Sequence, residues 1–190
     1  MIVKADEYCD YYKLDRDTAG TALEMVLRAA QRACEQFCGG RKFEAGDHVE
    51  YHDIAEPGVG TLQVRNPPII SVTTLTDDAQ ATDGGDTITS SDYVLDSEAG
   101  LLTLDQDEAY FTRGVQAAYI SYRGGYEPDE IRDERPELWM AVMLTAGVIW
   151  NDPDALLVES ETADGVSVTS HKTVVPPAAR DLLSGYRRVL

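Results

Sequence analysis

The segment RPELWMAVMLTAGVIWN, Arg135 to Asn151, constrains the fold more than any other stretch of this chain. From Leu138 to Trp150 it is apolar nearly all the way round, and only Thr145 and Gly147 interrupt it. Asp133 offers an N-cap, and Pro136 falls in the first turn, where its missing N–H costs little. Asn151-Asp152-Pro153 ends the run. The run is shorter than the roughly 20 apolar residues that span a bilayer, so protein rather than lipid must cover it. A helix without a polar face needs cover on all sides. In a chain of 190 residues, with room for one good core and a smaller added layer, part of that cover is expected from a neighbouring copy. Leu138, Trp139, Val142, Met143, Ile149 and Trp150 are accordingly the candidate subunit interface.

Two helices are expected before it. Ala5 to Leu14 reads as a short helix, and Asp15-Arg16-Asp17 supplies an N-cap for a longer one from Thr18 to Phe37. In the longer helix Ala22, Met25, Val26, Ala29, Ala30, Ala33 and Phe37 recur at threes and fours, the spacing of a buried face, with Arg28, Arg32 and Glu35 off that stripe. Gly39-Gly40 closes it.

After Phe43 the period changes to that of strands. Val49 and Tyr51 alternate with His48, Glu50 and His52, which reads as a solvated polar face. Short strands hinged at Pro67-Pro68 follow, then the loop ATDGGDT, then DYVLDSEAGLLTL as two strands about a Ser97–Gly100 turn, then GVQAAYISY. Arg123-Gly124-Gly125 occurs once, without the repeats of an RNA-binding tag and without the Lys-Ser/Thr of a phosphate loop. It reads as a corner where glycine supplies a positive φ. Beyond the apolar helix, VESETADGVSVTSHKTVV is small, polar and strand-like, and Pro176-Pro177 opens a short last helix that shows Leu182, Leu183, Tyr186 and Leu190 on one side.

Charge narrows the class of partner. The formal net charge is -18, which works against attraction of the whole surface to DNA or anionic lipid. Between Glu44 and Thr112 there are fifteen Asp or Glu and one basic residue, Arg65. From Lys172 onward Lys172, Arg180, Arg187 and Arg188 face only Asp181. The three cysteines, Cys9, Cys34 and Cys38, form no paired framework, so a reducing compartment is expected. Met1-Ile2-Val3-Lys4 runs into Asp6 and Glu7 with no apolar signal region, so neither signal-directed export nor a membrane anchor is expected.

Chemistry-bearing constellations are sparse. His48 and His52 share a strand face with Glu50, and Asp53 is adjacent. Residues two apart on a strand already lie about 6.5–7 Å from each other, so the histidines are too far apart to chelate one ion without a bulge. Cys34 and Cys38 are one helical turn apart with no second Cys/His pair, which suits small buried hydrophobes. Asp77, Asp78, Asp83 and Asp86 lack the glycine and glutamate positions of a calcium loop. No G-x-S-x-G, H-E-x-x-H or Gly-rich phosphate motif is present. No catalytic residue, metal ligand or cofactor site is assigned.

The order of LRAAQRACEQFCGGRKF, LQVRNPPIISVTTL, DYVLDSEAGLLTL, VQAAYISYRGGYEPDEI with RPELWMAVMLTAGVIWN, and PPAARDLLSGYRRVL resembles the head-tail connector (adaptor, head completion) proteins of long-tailed phages and gene transfer agents, through nearly the whole chain. The resemblance implies a non-enzymatic virion protein of α+β class. It would have a helical core (long N-terminal helix, apolar central helix, short C-terminal helix), an inserted small antiparallel β layer and an extended C-terminal arm. The matching divisions are 1–43 for the N-terminal helices, 44–126 for the acidic β insertion, 127–157 for the core helix and 158–190 for the arm. It further implies a homo-oligomeric ring of about twelve copies in the virion neck, assembled in the host cytoplasm. The ring would sit beneath the portal protein, meet a tail-side neck, stopper or tail-terminator protein, and pass DNA through its channel. The portal-facing surface falls on the arm, at Pro176, Pro177, Leu182, Leu183, Tyr186, Arg187, Arg188 and Leu190. Acidic walls suit passage, because they deny phosphates the counterion-release gain of sticking. Two rival readings stand beside it: an acidic DNA mimic or other non-catalytic binding module, and a small hydrolase in which His48, His52 or His171 meets a carboxylate.

Overall fold

The structure, a computed structural model, describes residues 1–81, 84–105, 110–151, 161–163, 166–168 and 174–187. Helices and antiparallel sheets place it in the α+β class, in two compact units, Met1–Arg41 with Pro128–Leu190, and Lys42–Glu127.

The first unit contains α1 (Ala5–Tyr12), α2 (Arg16–Phe37), α3 (Pro128–Asp133), α4 (Pro136–Asn151) and α5 (Pro177–Leu183), the last running into a 3-10 turn, Ser184–Tyr186. Two short strands, Glu161–Ala163 and Val166–Val168, pair antiparallel. Gly20 breaks α2 near its start with φ 50 and ψ -156. The buried face of α2 is Leu23, Leu27, Ala30, Cys34 and then Cys38, one residue out of phase with the stripe expected from the sequence. That stripe gave each alanine the weight of a leucine. Burying a leucine contributes about 1.5–3 kcal/mol and an alanine far less, so Leu23 and Leu27 set the rotation and Ala22, Met25 and Ala29 turn outward.

The chain itself covers much of α4, more than expected with part of the cover assigned to a neighbouring copy. α2, α3 and α5 pack on it, and Leu138, Ala141, Val142, Met143 and Ala146 are fully buried. Both interruptions of its apolar run have internal uses. The Thr145 hydroxyl donates to Ala141 O at 2.8 Å and lies 3.3 Å from Cys34 Sγ. At Gly147 a β-carbon would sit 2.8 Å from the Tyr12 hydroxyl, so the bare glycine leaves room for the Tyr12 ring of α1 against α4. Leu138, Val142 and Met143 are therefore core of one chain. Trp139, Ile149 and Trp150 remain half-buried.

The second unit holds β1 (Gly46–Ile54), β2 (Thr61–Gln63), β3 (Ile69–Asp77), β4 (Asp86–Thr87), β5 (Tyr93–Asp96), β6 (Leu101–Leu104) and β7 (Gly114–Gly124). One sheet has the order β1-β7-β3-β4 and the other β2-β6-β5, with every pair antiparallel. Ile54, Leu62, Ile69, Leu75, Leu102, Phe111, Ile120 and Tyr122 belong to one core. The turn expected at Ser97–Gly100 joins β5 to β6. Gly124-Gly125 is the expected corner: Gly125 has φ +101, and a β-carbon there would lie 2.6 Å from Glu44 O. Just past it Tyr126 N–H donates to Phe43 O at 2.8 Å and Ala45 N–H to Tyr126 O at 2.9 Å, which ties the two ends of the unit together.

The parity of β1 is the reverse of the expectation. Val49 is 59% and Tyr51 44% exposed, while Glu50 and Ile54 are buried. The face carrying His48, Glu50 and His52 points inward, because Glu50 has partners there that local sequence does not show.

Candidate functional site

The C-terminal surface is built on α5. Pro176 is its N-cap and Pro177 its first residue, the position where proline's fixed φ suits a helix start. Ala179 and Leu183 are fully buried and Val175 nearly so, and the Cys38 thiol lies 4.0 Å from Leu183 O. The helix is folded onto its own unit by these residues. Leu183, expected to face a partner, is core instead, since its helix position points toward α2 and α4. Pro177 and Arg187 are exposed, and Pro176, Leu182 and Tyr186 are half-buried. Arg188, Leu190 and His171 lie outside the described residues.

Around this helix sits a basic and aromatic cluster that sequence reasoning found only in part. Arg187 stands 5.1 Å and Arg180 5.9 Å from the centre of the Phe37 ring, and Arg41 stands 5.5 Å from that of Tyr186. Arg180 Nε also donates to Val175 O at 2.9 Å, and the Tyr186 hydroxyl donates to the Glu137 carboxylate. Phe37 and Arg41 come from the far end of the sequence. The one available signal was a cation, in GGRKF, directly after a helix stop. Guanidinium groups over aromatic faces are held in place without losing their charge. The surface therefore presents three oriented cations on a chain of net charge -18.

The second cluster lies in the sheet unit. Glu50 accepts from the Tyr122 hydroxyl and from Arg65 N–H at 3.0 and 3.2 Å, and His52 Nε2 is 3.2 Å from it. Asn66 N–H donates to the Tyr122 oxygen at 3.1 Å, and Asn66 Oδ1 takes Lys42 N–H at 2.7 Å. Burial alone would raise the Glu50 carboxyl, but the nearby His52 imidazole and the hydrogen bonds from Tyr122 and Arg65 outweigh it and hold it below the usual carboxylate range. Burial and the adjacent carboxylate push the Tyr122 phenol far up. Glu50, Tyr122 and Asn66 form a bonded chain that ties β1 to the loop before β3, and beside it His48 Nε2 and His52 Nε2 are buried with no hydrogen-bond partner among the described residues. His48 and His52 do share the Glu50 face, yet among the described residues no group of three or more His, Cys, Asp or Glu is arranged to hold a metal. Of the four aspartates weighed for calcium, Asp77 accepts from Thr112 N–H and Oγ1 at 2.8 Å, and Asp83 lies outside the described residues.

Among the described residues, surface pockets of about 220 Å³ include two of different character. One is lined by Glu7, Arg132, Pro136 and Trp139, the other by Tyr51, Thr76, Ala79, Gly84 and Tyr119.

All three cysteines are free and buried. Burial pushes the Cys34 and Cys38 thiols up to about 11. The thiolate is the reactive form, so the native protein is expected to react with a disulfide reagent at pH 8 only on the timescale of unfolding, and fully in denaturant. A rapid native reaction of one equivalent would contradict this.

Comparison with known proteins adds the family. The family model described as head completion protein matches residues 1–189. Among solved structures, the chain is similar to a component of the neck of an empty GTA particle computed with C6 symmetry. That match has a TM-score of 0.67 and 16% identity, and covers 100% of this chain and 92% of that one. A component of the virion of a native gene transfer agent particle matches with TM-score 0.63, 18% identity and 100% and 92% coverage. A component of the neck of a native GTA particle computed with C12 symmetry matches with TM-score 0.60, 17% identity and 92% and 87% coverage. No curated protein matches the sequence.

Proposed function

We propose that this chain, which belongs to the head completion protein family, is a structural component of the neck of a tailed particle: an adaptor that forms a ring beneath the portal and joins the DNA-filled head to the tail. One observation carries the reading. A fold shared end to end with neck components of gene transfer agent particles coincides with a whole-length family match. Twelvefold and sixfold symmetry in the descriptions of those assemblies supports a ring of about twelve copies. The acidic sheet unit suits a channel wall, since carboxylates along a DNA path leave the phosphate backbone nothing to bind.

The portal-facing surface in this reading is the exposed side of the C-terminal helix, with Pro176, Pro177, Leu182, Tyr186 and Arg187 and the residues through Arg188 and Leu190. Arg41 and Arg180 extend its positive charge. Its complement is an acidic or carboxylate-bearing partner surface, met by arginine forks. The half-buried Trp139, Ile149 and Trp150 remain available to a neighbouring copy.

The test uses the full-length chain, alone and with the portal protein of its own particle, by light scattering after size exclusion and by negative-stain imaging. A ring, alone or on the portal, is the expected result. A monomer that ignores the portal would overturn the reading.

A further inference from the structure

A closed ring of one chain joins two different surfaces of each copy, so a head-to-tail junction needs a patch and its complement on the same molecule. The first unit carries such a pair. On α2 the side opposite the buried Leu23–Leu27–Ala30–Cys34 line is led by Met25, which is 73% exposed. Ala22 and Ala29 lie exposed on one side of Met25, and Arg28 and Arg32 lie exposed on the other. A long, polarizable thioether standing out from small neighbours is a knob that fits irregular hollows and aromatic walls.

The hollow is formed where α1, α3 and the start of α4 meet. Glu7, Arg132, Pro136 and Trp139 line a mostly apolar pocket of about 220 Å³, larger than the roughly 150 Å³ that accommodates benzene in an apolar cavity. Its polar groups are already engaged with one another. Arg132 pairs with the Glu7 carboxylate, and the Trp139 indole N–H reaches the same carboxylate at 3.4 Å. The Tyr11 ring stands edge-on to Trp139 at 6.2 Å. What remains on offer is therefore indole and proline surface. Along α3 and its link to α4, the segment that supplies Arg132 and Pro136, Asp129, Asp133 and Glu134 are exposed, opposite in sign to the arginines flanking Met25.

From this complementarity we infer that the ring junction seats Met25 of one copy in the Trp139 pocket of the next, with Arg28 and Arg32 over the Asp129–Glu134 segment. The occupant is a second copy of this chain. The inference rests on the ring reading above and adds to it the two faces that meet. Hydrophobic knob and pocket supply affinity, while the charged rims set which face meets which.

The experiment compares full-length variants under the condition in which the wild type assembles, alone or on its portal. Met25→Glu, Arg28→Glu/Arg32→Glu and Asp133→Arg/Glu134→Arg alter only exposed positions, and unchanged circular dichroism and thermal unfolding will show that each is folded. Each is expected to lower the ring fraction about tenfold or more, as loss of an interface anchor does. The chain carrying all four charge exchanges is expected to regain it. If the wild type forms rings and Met25→Glu forms them equally well, or if the charge-exchanged chain stays unassembled, the junction is overturned and the ring reading survives. If the wild type forms none under either condition, the ring reading fails and takes this inference with it.

Discussion

Leu183→Ala is expected to destabilise the helical unit by about 3 kcal/mol, the usual cost of emptying a fully buried leucine site. The side chain has no exposed surface in a single chain, and its backbone carbonyl lies beside the Cys38 thiol. The loss therefore belongs to folding and is present in the isolated protein. Both tryptophans of the chain, Trp139 and Trp150, are in α4, so their fluorescence in a urea titration reports this unit. Arg187→Ala is the paired control. Arg187 is exposed and touches its own unit through the Phe37 ring, so its removal is expected to shift the unfolding midpoint far less than Leu183→Ala does and to weaken the portal complex. Were Leu183→Ala to leave the titration unchanged and weaken only the complex, the C-terminal helix would be an arm in fact and its docking on α2 and α4 would be wrong.

That contrast marks what local sequence could and could not reveal. The apolar helix, the Ser97–Gly100 turn and the Gly124-Gly125 corner were legible because each depends on residues adjacent in the chain: an unbroken apolar run, a turn motif, a glycine pair after a strand. Leu183 was misread because α5 packs on α4 and α2, elements distant in the chain, and its carbonyl lies by the thiol of Cys38, 145 positions away. The rotation of α2 was misread because alanines mark both faces of that helix and only the leucines discriminate. β1 was misread for a sharper reason. Glu50 looks like a solvated residue until Tyr122, 72 positions on, is laid beside it. Of the basic and aromatic cluster, Arg180 and Arg187 were visible in the tail, but Phe37 and Arg41 join them only through the fold. Much of the segment first read as an arm lies outside the described residues.

Removing the Glu50 carboxylate is expected to cost the sheet unit about 3 kcal/mol at neutral pH, because Glu50→Ala leaves the buried Tyr122 hydroxyl and the partly buried Arg65 N–H without their acceptor. The cost is also expected to depend on pH, with a sign set by the direction of the shift. The folded carboxyl titrates below its unfolded value, which is about 4.3 for a free glutamate. The folded state then binds its proton less readily than the unfolded one. The stabilisation is complete above that unfolded value and drains away as pH falls through the folded one. Glu50→Gln, which keeps the shape and drops the charge, is therefore expected to be less stable than wild type at pH 7 and to converge on it in strong acid. The tryptophans do not report this unit, so amide exchange along β7 is the measurement, with Ile120 and Tyr122 as the reporting positions opposite β1. A difference between the two proteins that stayed constant from pH 7 into acid would mean that the Glu50 charge does not hold the sheet, and that shape alone sets the inverted parity of β1.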